Sequence, residues 1–346
     1  MQYRQLGNSD LNVSLLCLGT MTWGEQNTET EAFSQMDMAT HAGINFFDTA
    51  EMYPVPPKAE TYTNTETIIG NWFTKHNNRG NIILASKVAS KGDTLKYIRN
   101  GNICLDKKNI QQALDASLSR LKTDYIDLYQ LHWPDRKTNY FGKLGFTFDE
   151  KDQSISIEET LLAMADFVQQ GKIRYIGLSN ETPWGVMKFL QVADKLNLPR
   201  VVSIQNPYNL LNRSYEIGLS EISHRENAGL LAYSPLAFGV LSGKYLNNQS
   251  PKNARITLFE RFSRYSNQLG ILATQSYVNI AKKSNLEPSQ MALAYVNSRS
   301  FLTSNIIGAT SLEQLKTNIE SINITLSAEI LDEIESVHTL HPNPCP

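Results

Sequence analysis

Cysteine is scarce in this chain. The three present, Cys17, Cys104 and Cys345, are too few and too scattered for a disulfide framework or a zinc site, and a reduced, cytoplasmic setting fits them best. Long apolar runs are missing as well. None approaches the ~18 residues needed to cross a bilayer, and the opening MQYRQLGNSD lacks the cationic start and apolar core of a secretory signal. Nor does charge of one sign dominate: 32 Lys and Arg stand against 34 Asp and Glu, with no basic run to attract nucleic acid or an anionic membrane. The G-x-G-x-x-G turn of doubly wound dinucleotide folds and the Walker A loop are absent too. What is there is ordinary for a soluble globular protein: 346 residues, 41% hydrophobic, enough to bury a sizeable core.

Short apolar runs alternate with longer amphipathic ones. The candidate strands are LLCLGT, INFFDT, NIILASKV, YIDLYQLH, IRYIGLSN, VVSIQN, LLAYSP and SNIIGAT. They are continuous rather than alternating, as strands are when both faces of a parallel sheet are covered. Between them lie helical patterns. TETEAFSQMDMATHAG stops at Gly43, a C-cap position, and TNTETIIGNWFTKH places Thr63 three residues before Glu66, the spacing of a capping box. KNIQQALDASLSRLKT puts Ile110, Leu114, Leu118 and Leu121 on one face. Eight strands mostly alternating with helices predict an α/β fold, a (β/α)8 TIM barrel forming one domain over residues 1–346. An N-terminal β-hairpin should precede it, turning near Asn8-Ser9-Asp10, and the tail from 340 to 346 should be loose. Long loops follow the fourth strand (Pro134 to about Ser154) and the seventh (Leu236 to about Tyr265). Both lie at C-terminal strand ends, where barrel active sites are built.

Those ends carry chemistry. The second strand stops at Asp48 and leads to Tyr53, the third delivers Lys87 and the fourth His132; the next two deliver Ser179-Asn180 and Gln205-Asn206. Each residue alone has a plainer explanation. A carboxylate closing a strand is more often a helix cap, a lysine there usually snorkels, a lone histidine is more often structural, and a tyrosine packs as an anchor. Convergence of all four from neighbouring strands on one mouth is harder to obtain from those explanations together.

A phenol is a poor acid at neutral pH. A lysine ammonium about 4 Å away, at an effective dielectric of about 20, favours phenolate by roughly 4 kcal/mol, up to about three pKa units. Asp48 would orient Lys87, and His132 would donate to or position a substrate oxygen. Such a group protonates a developing alkoxide, which suits carbonyl reduction once a cofactor delivers hydride. A Schiff-base aldolase would need Lys87 neutral and unpaired. A metal hydrolase is poorer still, because His132 is the one histidine of six at a candidate strand exit.

Over essentially its full length the chain resembles the aldo-keto reductase family. The stretches that carry this are YRQLGNSDLNVSLLCLGTMTWGE, FFDTAEMYPVPP, LASKV, SLSRLKTDYIDLYQLHWP, GKIRYIGLSNET, IQNPYNLLNR and IIGATSLEQLKTNIES. The resemblance implies a (β/α)8 barrel and a catalytic tetrad of Asp48, Tyr53, Lys87 and His132, with Tyr53 as general acid/base. It also implies NADPH/NADP+ as cofactor, extended across the mouth without a Rossmann fold. Gly19, Thr20, Met21 and Asp48 would begin its site. Ser179, Asn180 and Gln205 would bracket the carboxamide, with Tyr233 stacked on the ring. Ser234, Pro235, Leu236, Gly239, Leu241, Gly243 and Lys244 would line the pyrophosphate, and Arg255 would face the 2′-phosphate. Gly308, Ala309, Thr310, Gln314 and Asn318 would close the adenosine end, where a helix start capped by Ser311 favours phosphate.

The function so implied is NADPH-dependent reduction of an aldehyde or ketone to an alcohol. The alternative is an NADPH-binding redox sensor or accessory subunit with slow turnover, against which His132 argues. Trp23, Tyr53, Trp133, Tyr208 and the aromatic loop of Tyr140, Phe141, Phe146 and Phe148 point to an apolar or aromatic small-molecule carbonyl. No nucleic-acid, membrane or metal partner is expected.

Overall fold

A computed structural model describes residues 1–92 and 95–346. Tyr3–Gln5 (β1) and Asn12–Ser14 (β2) pair antiparallel across the expected turn. There follow Leu16–Gly19 (β3), Glu29–His41 (α1), Phe46–Asp48 (β4), Asn64–His76 (α2), Ile83–Val88 (β5) and Lys107–Leu121 (α3). Then come Ile126–Leu131 (β6), Ile157–Gln169 (α4), Ile173–Ser179 (β7), Pro183–Leu196 (α5), Val201–Pro207 (β8), Leu219–Glu226 (α6) and Gly229–Tyr233 (β9). Beyond β9 lie Arg255–Leu258 (α7), Gln268–Lys283 (α8), Pro288–Asn297 (α9), Leu302–Ile307 (β10), Leu312–Glu320 (α10) and Ala328–Leu340 (α11).

Strands β3 to β10 close into a barrel, every neighbouring pair parallel, with β10 joining β9 to β3. The continuous apolar runs have their expected cause: β6 and β10 are buried at every position, helices covering one face and the barrel interior the other. Inside, Cys17, Phe46, Ala85, Leu128, Val202, Leu231 and Ile306 pack together with Leu6, Leu11 and Val13 from the β1–β2 hairpin. The hairpin therefore plugs the end where the strands begin. Gly7 makes that fit, since its φ is +53° and a Cβ would lie 2.3 Å from the Val202 carbonyl oxygen. The strand C-termini are left to form the open mouth.

Local signals were mostly obeyed. Thr28 and Glu31 form a capping box at the start of α1, Gly43 follows its end at φ +87°, and Pro183 opens α5 behind Thr182 as N-cap. Helix α2 departs from expectation. Thr63 sits at φ 74°, away from the extended backbone of an N-cap, and makes no side-chain cap, and Glu66 is turned inward instead of closing a box. Fully buried, it accepts from Ser86 Oγ at 2.5 Å and Arg120 Nε at 2.8 Å. A tertiary demand has overridden a local one.

The tail also corrects its expectation. Rather than hanging loose, it returns to the mouth: Cys345 is 1% exposed, its N–H bonds to the Leu211 carbonyl at 3.0 Å, and Asn267 Nδ2 donates to the Pro344 carbonyl at 2.8 Å. Among the described residues no helix is long and apolar enough to cross a membrane.

Candidate active site

The strand ends bring together what each carries. Asp48 closes β4, Lys87 is the penultimate residue of β5, and His132 directly follows β6. Lys87 is completely buried; its Nζ donates to Asp48 Oδ2 at 2.6 Å and to the Thr49 carbonyl at 2.8 Å, and stands 3.4 Å from the Tyr53 hydroxyl. The other carboxylate oxygen, Asp48 Oδ1, accepts from Gln205 Nε2 at 2.7 Å and Gln130 Nε2 at 3.1 Å. Thr20 Oγ1 secures the Asp48 carbonyl at 2.9 Å. The carboxylate that orients the lysine is thus itself held.

His132 meets Tyr53 edge-on, ring centroids 5.8 Å apart at 76°. Its N–H bonds to the Val88 carbonyl at 3.0 Å and its carbonyl accepts from Asn180 Nδ2 at 2.9 Å, which fixes the backbone, while its buried Nδ1 has no partner among the described residues. Burial, and then the Lys87 charge, hold the imidazole well below its usual pKa, so it is neutral at physiological pH. Burial would depress Lys87, but Asp48 and Tyr53 more than reverse that and raise it. Tyr53 runs opposite to the expectation from its distance to Lys87. Burial raises its pKa above the ordinary phenol value, outweighing the lysine, whose charge is already shared with Asp48. The hydroxyl therefore keeps its proton across the neutral range.

A cleft of about 1200 Å³ opens over this cluster and runs from the loop after β6, across the mouth, to the start of α10. At one end Met52, Leu95, Trp133, Tyr140 and Phe141 form an apolar wall, and the returned tail and Arg264 line the cleft too. Past β9 the chain folds into successive tight turns, with Ser234, Ala237, Phe238, Gly239 and Gly243 all at positive φ. The turns bring Lys244 back to the cleft; a Cβ on Gly239 would lie 2.8 Å from its Nζ. Arg255 stands over the rings of Phe238 and Phe262, 5.7 and 5.4 Å from their centroids. Burial, then the neighbouring Arg255 charge, lower the Lys244 pKa; Arg255 is lowered by burial as well. Among the described residues no carboxylate offsets either cation. At the far end Ser311 caps α10, and Asn318 Nδ2 donates to the Gly308 carbonyl at 3.1 Å.

Comparison with known proteins agrees with the barrel fold. The aldo/keto reductase family model matches residues 15–339. Protein tas of Escherichia coli (strain K12) is 54% identical over 347 aligned residues, covering 100% of both chains. The chain belongs to the aldo/keto reductase family. Two further relatives span nearly the same length. The uncharacterized oxidoreductase YrpG of Bacillus subtilis (strain 168) is 34% identical, covering 97% of this chain and 96% of its own. The probable voltage-gated potassium channel subunit beta of Oryza sativa subsp. japonica is 30% identical over the same shares, 97% and 96%. This aldo/keto reductase is accordingly an oxidoreductase, of a family that uses nicotinamide cofactors.

Of the residues named from sequence, Gly19, Thr20, Met21, Asp48, Tyr53, His132, Ser179, Asn180, Gln205 and Tyr233 all line the cleft. So do Ser234, Pro235, Leu236, Gly239, Lys244, Arg255, Gly308, Ala309, Thr310, Gln314 and Asn318. Lys87 lies just beneath its floor. Leu241 and Gly243 do not reach it: Leu241 is buried in the main core and Gly243 forms a turn, its N–H bonded to the Val240 carbonyl. Two aromatic candidates are core residues. Trp23 is fully buried with its Nε1 on Gln35, and Tyr208 is fully buried with its hydroxyl on Glu216. Phe146 and Phe148 project into solvent, 60% and 74% exposed. Sequence reasoning missed Gln130, whose one signal is an amide between Tyr129 and Leu131 near the end of β6, and it missed Glu51.

Proposed function

We propose that this aldo/keto reductase reduces an aldehyde or ketone to an alcohol with NADPH, Tyr53 supplying the proton. The observation that carries the reading is the hydroxyl of Tyr53, protonated and 3.4 Å above a buried Lys87–Asp48 pair, facing the cleft beside a neutral His132. The cleft's size and donor set fit a dinucleotide: two uncompensated cations stand where phosphates would neutralise them, and Gly239 leaves room where a side chain would strike Lys244. Lys244 and Arg255 would hold the phosphates. Tyr233, whose hydroxyl donates to Asn180 Oδ1 at 2.6 Å, would stack beneath the ring, with Ser179, Asn180 and Gln205 at its carboxamide. When bound, the reduced nicotinamide supplies the hydride.

The protein's own part is electrostatic. As negative charge grows on the carbonyl oxygen, Tyr53 donates its proton, and the phenolate left behind is stabilised by Lys87, which Asp48 keeps aimed at it. His132, neutral and with a nitrogen to spare, positions the oxygen. The apolar wall of Leu95, Trp133 and Tyr140 favours a carbonyl with an apolar or aromatic body and excludes water from the reacting atoms. Tyr53→Phe should cut carbonyl reduction by roughly 10²- to 10⁴-fold while NADPH, followed by its fluorescence, still binds. Activity surviving that change would end the assignment of Tyr53.

A further inference from the structure

Glu51 belongs to the turn between Asp48 and Tyr53, yet it touches neither the cleft nor any atom that reacts. It is 1% exposed. Its Oε1 accepts from the Ala89 N–H at 2.6 Å and from Arg99 Nη2 at 3.1 Å, and its Oε2 accepts from Arg99 Nη1 at 2.6 Å. The Tyr62 hydroxyl completes the set at 3.4 Å. Arg99 is anchored in turn: Nε donates to Asn109 Oδ1 at 3.0 Å, which ties it to α3.

Burying such a pair is a poor way to gain stability, because desolvation of both ions offsets most of their attraction. What a two-pronged guanidinium–carboxylate contact supplies is fixed geometry. Here the geometry concerns β5. The Thr49 N–H bonds to the Ala85 carbonyl at 2.9 Å and the Glu51 N–H to the Lys87 carbonyl at 3.1 Å, so the turn after β4 runs on beside β5. The Glu51 side chain adds the next contact along, to Ala89. Every second residue of the segment leading to Tyr53 is thereby fastened to the strand that carries Lys87, and Arg99 locks the last fastening from outside. Glu66, Ser86 and Arg120 form a second buried charge pair behind the same strand, but it grips the residue before Lys87 and leaves the Tyr53 turn alone.

We propose that Glu51 and Arg99 are positioning residues for the reaction, holding the Tyr53 hydroxyl at its working distance from Lys87. The proposal rests on Tyr53 being the proton donor. The gap of 3.4 Å is already at the long limit of a hydrogen bond, so a small drift of the turn breaks it.

The test compares wild type, Glu51→Gln and the double change Glu51→Gln with Arg99→Met, measuring kcat, KM for the carbonyl, NADPH affinity, the solvent deuterium isotope effect and thermal stability. Glu51→Gln should lower kcat by about 10- to 100-fold, since misplacements near 1 Å have effects of that size. KM and NADPH affinity should change by less than about threefold, because neither residue lines the cleft and the effect falls on the transition state alone. The isotope effect should rise as proton transfer becomes limiting. The double variant carries no unpaired buried charge, so its stability should recover toward wild type while kcat stays low. Recovery of kcat together with stability, or a single variant that melts lower but turns over normally when folded, would show a merely structural pair and overturn the proposal. Tyr53→Phe run alongside separates the two claims: if it remains active, the reading of Tyr53 fails first and the positioning claim falls with it.

Discussion

The two halves of the mouth are built on opposite principles. Around the ends of β4, β5 and β6 every strong charge is answered from within: Lys87 by Asp48, Asp48 by two glutamines, Glu51 by Arg99, Glu66 by Arg120. Past β9, Lys244 and Arg255 crowd together with no acid to offset them among the described residues, on a segment of consecutive tight turns. A satisfied cluster is rigid and needs no ligand to be correct. An unsatisfied one is waiting for negative charge. The first half suits chemistry that must be ready in advance, and the second suits a polyanionic cofactor that supplies its own counter-charge on arrival.

Breaking the satisfied half should have the largest effect. Lys87→Met leaves Asp48 buried and unpaired, so we expect a destabilisation of about 3–5 kcal/mol on thermal or denaturant unfolding, alongside near-complete loss of reduction. A variant that melts like wild type would show that the pair is not the buried link described here. The unsatisfied half should respond more gently and differently. Arg255→Ala should leave the fold intact but raise the KM for NADPH by roughly 10- to 100-fold, the range for losing one or two charge-assisted bonds. NADH should suffer less if Arg255 reaches the 2′-phosphate, and equal losses would refute that assignment. Added salt should raise the NADPH KM of the wild type and do much less to the Arg255→Ala variant.

The same contrast explains what could be read from the chain. The barrel was legible because strands covered on both faces are continuous apolar runs, and the chemistry was legible because it sits where those runs stop. Asp48, Lys87 and His132 each end an apolar stretch. Glu51 and Arg99 gave no such sign: they are 48 positions apart, and only the folded turn makes them partners. The packing of Pro344 and Cys345 was hidden for the same reason, its anchors lying at Leu211 and Asn267. Thr63 and Glu66 matched a capping pattern, but Arg120 and Ser86 claimed the glutamate. For Tyr53, a charge a few ångströms away can be inferred from spacing, whereas the depth of burial that outweighs it cannot.

The smallest expected effect belongs again to the satisfied half, and its sign follows from His132. The folded protein holds this imidazole well below its usual pKa, first through burial and then through Lys87, while the unfolded chain gives it an ordinary value near 6.5. Below about pH 6.5 the unfolded state takes up a proton that the native state refuses, so stability contributed by His132 is whole above that pH and drains away as pH falls. One group can contribute a slope of at most about 1.4 kcal/mol per pH unit. Melting wild type and His132→Gln from pH 7.5 to 5 should therefore show the wild type losing its stability more steeply, the gap opening near 6.5. Parallel curves would mean that the ring accepts a proton in place, and a neutral hydrogen-bonding role for His132 at the substrate oxygen would have to be given up.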